Sequence, residues 1–355
     1  LRGTWTPQTT TFEDLLITPH AADQLSRPYP FYLAYAVEDD FFKKHSPEAY
    51  CVEHKWDGMR GQLIVREGQY FLWSRGEELI TDKFPELAPF ANHLPSGTVL
   101  DGEILPYPQG VIGNFNDLQK RIGRKTVGAK LLQDVPIRFM IYDLLEWEGI
   151  DYRTTPLHIR QEQLALLYQS HKKFDLPWEL SQVHHFATWE AVAQEREKAE
   201  QKRSEGLMLK KKDSSYAVGR KKGSWWKWKS DPKTIDAVLT FAMRGHGRRT
   251  NLYTDYTFAL WDEGKLVTFT KAYSGLTDKE IREVDRYVKQ NTLARFGPVR
   301  EVTPKLVFEI AFEGIAASTR HKSGVAVRFP RILRWRHDKK IEAANSLGDL
   351  KKLLS

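Results

Sequence analysis

Chemistry in this chain is most plainly concentrated in Glu53-His54-Lys55-Trp56-Asp57-Gly58-Met59-Arg60. Lys55 stands at the end of an alternating apolar run, with Asp57 and Arg60 close behind it. The segment reads either as an amine presented at a strand terminus beside a carboxylate and a guanidinium, or as a strand end running into a glycine turn. A lysine at its ordinary pKa of about 10.4 is almost wholly protonated at neutral pH. If this amine is to react, it needs positive charge nearby to lower that value. Farther on, Trp226-Lys227-Trp228-Lys229 puts two lysines two residues apart, so on a strand both face one surface while the tryptophans face the other. Asp101-Gly102-Glu103, Phe139-Met140-Ile141-Tyr142-Asp143 and Glu205-Gly206-Leu207-Met208-Leu209-Lys210 place further acids, a tyrosine and a lysine at strand ends. Several common chemistries are missing from the sequence: there is no G-x-x-x-x-G-K-[ST] loop, no G-x-S-x-G elbow and no H-E-x-x-H pair. His184 and His185 would point to opposite faces of a strand, which favours structural roles. The lone cysteine, Cys51, excludes disulfide frameworks and multi-cysteine zinc motifs.

Alternation predicts strands at Tyr50–Lys55 and Arg60–Arg66, then Gln69–Arg75 after a Glu67-Gly68 turn. More are expected at Thr98–Ile104, Ile137–Asp143, Leu180–Phe186 and Glu205–Lys211. Thr155-Pro156 offers an N-cap and first turn for a helix through Leu164 and Leu167, and another helix runs from about Thr188 to Lys202. Beyond Asp231-Pro232 the texture changes to short strands: Ile235–Met243, Tyr256–Trp261, Leu266–Lys271, Lys305–Phe312 and Val325–Arg336. One helix interrupts them, opened by the capping box Thr277-Asp278-Lys279-Glu280 and carrying Ile281, Val284 and Val288 on one face. Five strands and one helix after an α+β unit suggest a small OB-type barrel. We therefore expect an α+β fold in two domains, residues 1–231 and 232–355.

The 355 residues suit two domains, and 41% hydrophobic content allows an ample core. No apolar run reaches membrane-spanning length and no signal-peptide pattern opens the chain, so a soluble, intracellular protein is expected. The net charge of +8 points to a polyanionic partner. The excess is local: Lys202–Lys233 holds eleven Lys/Arg against three acids, and Arg320–Lys340 eight against one. Trp225, Trp226, Trp228 and Trp335 lie in those stretches, either as platforms for nucleobases or as core residues beneath a solvated basic face.

The ordered set of motifs resembles the covalent nucleotidyltransferases, above all the ATP-dependent DNA ligases, over nearly the whole chain from about residue 30. The C-terminal Arg328-Phe329-Pro330-Arg331-Ile332-Leu333-Arg334-Trp335-Arg336-His337-Asp338-Lys339-Lys340 is similar to the last ligase motif, and its F-P-R form favours DNA ligase over capping enzyme. The resemblance implies an adenylation domain of antiparallel sheets with flanking helices, followed by an OB-fold, as in the catalytic core of bacterial and archaeal enzymes. It implies that Lys55 takes AMP from ATP as a phosphoramide, with Lys227 and Lys229 near the α-phosphate. Glu103 and Glu205 would hold Mg2+, with Mn2+ as an alternative. Tyr142 would stack on adenine, Glu53 would receive its amino group, and Arg60 and Arg75 would lie near the ribose and the nick 5′-phosphate. Lys210 would lie near the nucleotide phosphates, and Asp57 would support the turn. The segment with Arg331, Arg336, Asp338 and Lys339 would bring its cations to the β,γ-phosphates on closure of the barrel domain, or would form a plain basic strand that tracks DNA without any motion. The implied activity is sealing of 5′-phosphate/3′-hydroxyl nicks in duplex DNA, in repair, replication or recombination, by a cytoplasmic, nucleoid-associated monomer. Larger ligases of this type carry an additional N-terminal DNA-binding domain that residues 1–30 do not supply. Asp14-to-Leu16 and Arg27-Pro28-Tyr29-Pro30 resemble a lead-in segment, so nick affinity is expected to be weak and salt-sensitive. The alternatives are an RNA ligase or capping-type guanylyltransferase with the same lysine chemistry, and a non-catalytic nucleic-acid-binding protein retaining relic motifs.

Overall fold

The computed structural model describes residues 25–354, so the Asp14-to-Leu16 part of the lead-in segment lies outside the described residues. The chain divides into two compact units after Ser230.

The first unit is built on strands Tyr50–Trp56 (β1), Met59–Arg66 (β2), Gln69–Ser74 (β3), Thr98–Pro106 (β4) and Ile137–Trp147 (β5). Helix Leu157–His171 (α1), strand Trp178–Leu180 (β6), helix Trp189–Glu197 (α2) and strands Ser204–Lys211 (β7) and Trp225–Lys229 (β8) follow. One sheet runs β3-β2-β4-β5 in antiparallel order, with β6 parallel to β5. A second antiparallel sheet runs β8-β7-β1. Alternation sorts their side chains. Leu63, Leu72, Leu100 and Phe139 pack with Leu164 and Leu167 of α1. Ile64, Trp73, Val99 and Leu145 from the other face of that sheet meet Tyr32, Tyr216 and Trp225. Tyr50, Val52, Leu207, Leu209 and Trp226 close against Phe41 and Val192. Each such buried side chain contributes about 1.5–3 kcal/mol. Trp225 and Trp226 are thus core residues, which removes them as base-stacking platforms.

Two local expectations need correction here. Leu180–Phe186 is a strand only as far as Leu180. Ser181 N–H still donates to the Ile141 carbonyl, but His184 bridges Val52 of the other sheet. A segment crossing from one sheet to the other can follow neither ladder. The α1 helix starts one residue late, with Pro156 as its N-cap at ψ 143°.

The second unit contains strands Lys233–Arg244 (β9), Tyr253–Asp262 (β10) and Lys265–Ala272 (β11), and helix Asp278–Gln290 (α3). Strands Thr292–Phe296 (β12), Val299–Val302 (β13), Val307–Phe312 (β14), Gly314–Ala317 (β15), Val325–Arg328 (β16) and Arg331–Trp335 (β17) complete it. The long β9 pairs with β14 along its first half and with β10 and β13 along its second. β17 continues from β14, and Ile332 N–H donates to the Ser274 carbonyl just past β11 at 2.9 Å, which curls the sheet into the expected OB-type barrel. The α3 capping box forms, and Ile281, Val284 and Val288 are buried. Val325–Arg336, expected as one strand, is two: the chain turns at Phe329, whose φ is 53°, and Pro330 follows without an N–H to give a ladder. The β12–β13 hairpin was not anticipated. No helix among the described residues is long and apolar enough to cross a membrane.

Candidate active site

Strand register assembles the site. On β7, Gly206 lies opposite Lys229, Met208 opposite Lys227 and Lys210 opposite Trp225, while Met208 and Lys210 face Glu53 and Cys51 of β1 on the other side. Since side chains alternate, Cys51, Glu53, Lys55, Lys227 and Lys229 share the face turned away from the Tyr50–Val52 core. A shift of register between Ser204 and Leu207 brings Glu205 onto this face. Gly206 is required there: its φ is +126°, and a β-carbon would stand 2.3 Å from the Trp228 carbonyl oxygen. Gly58 has a parallel role in the turn after Lys55, where a β-carbon would stand 2.3 Å from the Ile104 carbonyl oxygen. This close approach lays the Lys55 turn against β4, which carries Glu103.

Lys55 Nζ donates to Glu205 Oε2, and Lys229 Nζ lies 3.5 Å from the same oxygen. Burial pushes the Glu103 carboxyl up to about 8; the charges of Asp101 and Glu205 add to this, and Lys55 and Arg60 oppose it. Lys227 is shifted the other way. Burial lowers its ammonium, helped by Arg220, Lys229, Lys55 and Arg75. Mutually repelling acids beside converging cations form a surface that suits a phosphate chain together with a divalent ion. Arg75 is exposed at the end of β3, near enough to act on Lys227.

Farther along the same face the site is closed. Lys210 Nζ donates to Glu53 Oε1 at 2.8 Å, with both side chains only 2% exposed. The same ammonium stands 4.4 Å from the Tyr142 ring centre and 4.8 Å from that of Trp225. Lys210, expected beside the phosphates, is therefore found with Glu53 and Tyr142, the pair expected at the base. Arg60 is held as a fork on buried Asp101, at 3.0 Å from Nε and 2.6 Å from Nη2, with a further bond from Nη1 to the Tyr32 carbonyl at 2.7 Å. The Tyr216 hydroxyl also donates to Asp101, at 2.6 Å. Asp143, next to Tyr142, is paired with Arg160 of α1 in full burial.

Behind Lys55, His54 Nδ1 and Nε2 contact Ser204 Oγ and Glu195 Oε1, each at 3.0 Å, and Lys198 takes the other Glu195 oxygen at 2.8 Å. His184 lies edge-on to His54 in this network. In the barrel unit, Arg336 Nη1 donates to Asp236 at 2.9 and 3.1 Å, while its Nε and Nη2 bind Asp338 at 2.9 and 2.7 Å. Lys339 also donates to Asp236, and Arg331 lies 3.6 Å from Glu313. Sequence reasoning missed Arg160, Gln161, Tyr216 and Asp236 as partners. No spacing marks them, because each meets its motif residue across a long stretch of chain.

This is an arrangement of cations, paired acids and a buried carboxylate on two antiparallel sheets, followed in the chain by an OB barrel. The family described as the ATP dependent DNA ligase domain matches residues 32–229, and its C-terminal region matches residues 249–339. The chain belongs to the ATP-dependent DNA ligase family. Among similar proteins, a probable DNA ligase of Koribacter versatilis is 38% identical, over 94% of this chain and 62% of its own length. A probable DNA ligase of Opitutus terrae is 36% identical, over 85% of this chain and 32% of its own length. DNA ligase 2 of Haloquadratum walsbyi is 30% identical, over 93% and 53% respectively. The chain thus spans roughly a third to two-thirds of the length of these relatives. Two solved structures share its fold: Pmar-Lig_Pre, with TM-score 0.68 and 20% identity over 87% of this chain and 67% of that one, and a Lig E DNA ligase, with TM-score 0.62 and 19% identity over 87% and 100%.

Proposed function

We propose that this chain is the catalytic core of an ATP-dependent ligase that seals 5′-phosphate/3′-hydroxyl nicks in duplex DNA. The observation that carries the reading is the meeting of Lys55 and Lys229 on Glu205, with Lys227 near enough to both lysines for their charges to lower its ammonium. Lys55 Nζ gives up a proton, for which Glu205 Oε2 is the bonded acceptor, and bonds to the α-phosphorus of ATP. The bond from that phosphorus to its bridging oxygen breaks and pyrophosphate leaves. Next, an oxygen of the nick 5′-phosphate displaces Lys55 from the AMP phosphorus, and Lys55 recovers a proton. The 3′-hydroxyl then bonds to the 5′-phosphorus, its proton passes to water, and AMP departs. In each step Lys227 and Lys229 neutralise charge on the transferring phosphate, where positioning and electrostatics supply most of the acceleration.

Glu103 and Glu205 fit a magnesium site: both offer oxygen, they come from different sheets, and Glu103 ionises with difficulty without a compensating cation. When bound there, the ion (Mg2+, or Mn2+ in its place) supplies charge neutralisation at phosphate oxygens. Glu53 and Tyr142 receive the base, and Arg60 and Arg75 the ribose and nick phosphate. Lys210 acts from the Glu53 end, and Arg331, Arg336 and Lys339 keep the polyphosphate role expected of them from sequence. We assign residues 1–231 to adenylation and 232–355 to the OB domain.

Mass spectrometry after incubation with ATP and magnesium is the test. The protein should gain one AMP, and Lys55→Ala should gain none. Adduct on Lys55→Ala would remove the nucleophile assignment; labelling by GTP alone would favour a capping-type enzyme.

A further inference from the structure

Gln161 lies on α1, outside every motif, yet its side chain enters the base end of the site. Gln161 Nε2 donates to Glu53 Oε1 at 3.3 Å, the oxygen that also takes Lys210. The amide is itself held: Cys51 Sγ donates to Gln161 Oε1 at 3.3 Å from the neighbouring position on the Glu53 face of β1. α1 is in turn anchored one residue earlier by Arg160, which is fully buried on Asp143. Gln161 is thus placed by a rigid helix.

We propose that Gln161 is a specificity-determining positioning residue that, with Lys210, holds Glu53 as a pure hydrogen-bond acceptor and so selects a 6-amino purine nucleotide over a 6-oxo one. This rests on the ligase reading of the site. A carboxylate has about four lone-pair positions. The two protein donors both take Oε1, which leaves the other oxygen, Oε2, to accept from an N–H of the base. Burial drives Glu53 toward its neutral form, and Lys210 opposes that drive. A neutral carboxyl could donate to a 6-oxo group, whereas an ionised one can only repel it. Removing a donor therefore weakens the grip on the amino base and loosens the bar to the oxo base together. Cys51 holds the amide so that its NH2 end faces Glu53.

The experiment measures single-turnover formation of the Lys55–nucleotide adduct with ATP and with inosine triphosphate, which differ at the 6-position of the purine. For the wild type and Gln161→Leu, the maximal rate and the half-saturating nucleotide concentration are read separately. In Gln161→Leu the ATP:ITP preference should narrow about tenfold, mostly through the half-saturating ATP concentration, with the maximal ATP rate kept within about twofold. Gln161→Met, closer in shape, should show the same narrowing should the leucine variant be unstable. Equal losses for ATP and ITP, or an unchanged ratio, would overturn the proposal and leave Gln161 a purely structural residue. Wild-type protein that forms no adduct would instead defeat the ligase reading itself.

Discussion

Asp143→Ala should destabilise the first unit by about 4 kcal/mol. Both Asp143 and Arg160 are 0% exposed, and Arg160 reaches the carboxylate with Nε at 2.7 Å and Nη2 at 2.9 Å. Its Nη1 donates to the Thr155 and Ser214 carbonyls at 2.6 and 3.0 Å, and those bonds survive the substitution. Two charge-assisted bonds are lost, each worth about 1.5–3 kcal/mol, and breaking one side of a buried pair costs about 3–5 kcal/mol. Out of a total stability of about 5–15 kcal/mol, such a loss shifts a urea midpoint conspicuously. Nine of the eleven tryptophans precede Ser230, so indole fluorescence follows the first unit. Asp143→Asn, which keeps one carbonyl acceptor, should cost less than the alanine variant. A loss below about 1 kcal/mol for Asp143→Ala would show that water or another acid reaches Arg160, and the reasoning from enclosure would fail.

Burial lowers the His54 imidazole despite the neighbouring Glu195, with Lys202 and His184 adding to the effect. The unfolded chain then binds the proton more readily, so this contribution is full above about pH 6.5 and is lost as pH falls below it. Urea midpoints at pH 7.5 and 5.5 should differ less for His54→Gln than for the wild type. Gly206→Ala forces a β-carbon to within 2.3 Å of the Trp228 carbonyl at φ +126°, so it should cost about 1–3 kcal/mol and reduce AMP adduct formation; an unchanged melt and adduct yield would contradict that contact. EDTA should abolish the AMP adduct, and Glu103→Gln should raise the magnesium concentration needed for half-maximal adduct by about tenfold or more. A magnesium curve that does not move would take Glu103 out of the metal site.

Much of the site was legible in the sequence because its parts obey strand alternation. Lys227 and Lys229, two residues apart, do share a face, and the capping box at Thr277 does open a helix with Ile281, Val284 and Val288 inward. The same rule sent Trp226 to the core, where composition had left base stacking open. Three things were hidden. The depth of Lys210 depends on which strands flank β7, so its partnership with Glu53 follows from register and cannot be read from the motif. Arg160, Gln161 and Tyr216 reach their carboxylates across separations of 17, 108 and 115 residues. Asp236 meets Arg336 across 100 residues, within a barrel whose strand pairing the sequence only outlines. The break at Phe329 escaped notice because apolar residues continue through it and only Pro330 interrupts the pattern.

The pairing of β7 with β8 makes the reactive wall and the hydrophobic interior two sides of one ribbon. Inserting or deleting a single residue between Trp225 and Lys229 would exchange indoles for ammonium groups along the rest of the ribbon, spoiling chemistry and packing in one stroke. Natural variation should therefore reach this stretch by substitution and almost never by a change of length. A library allowing one-residue indels there should yield insoluble chains, with no soluble yet inactive class among them.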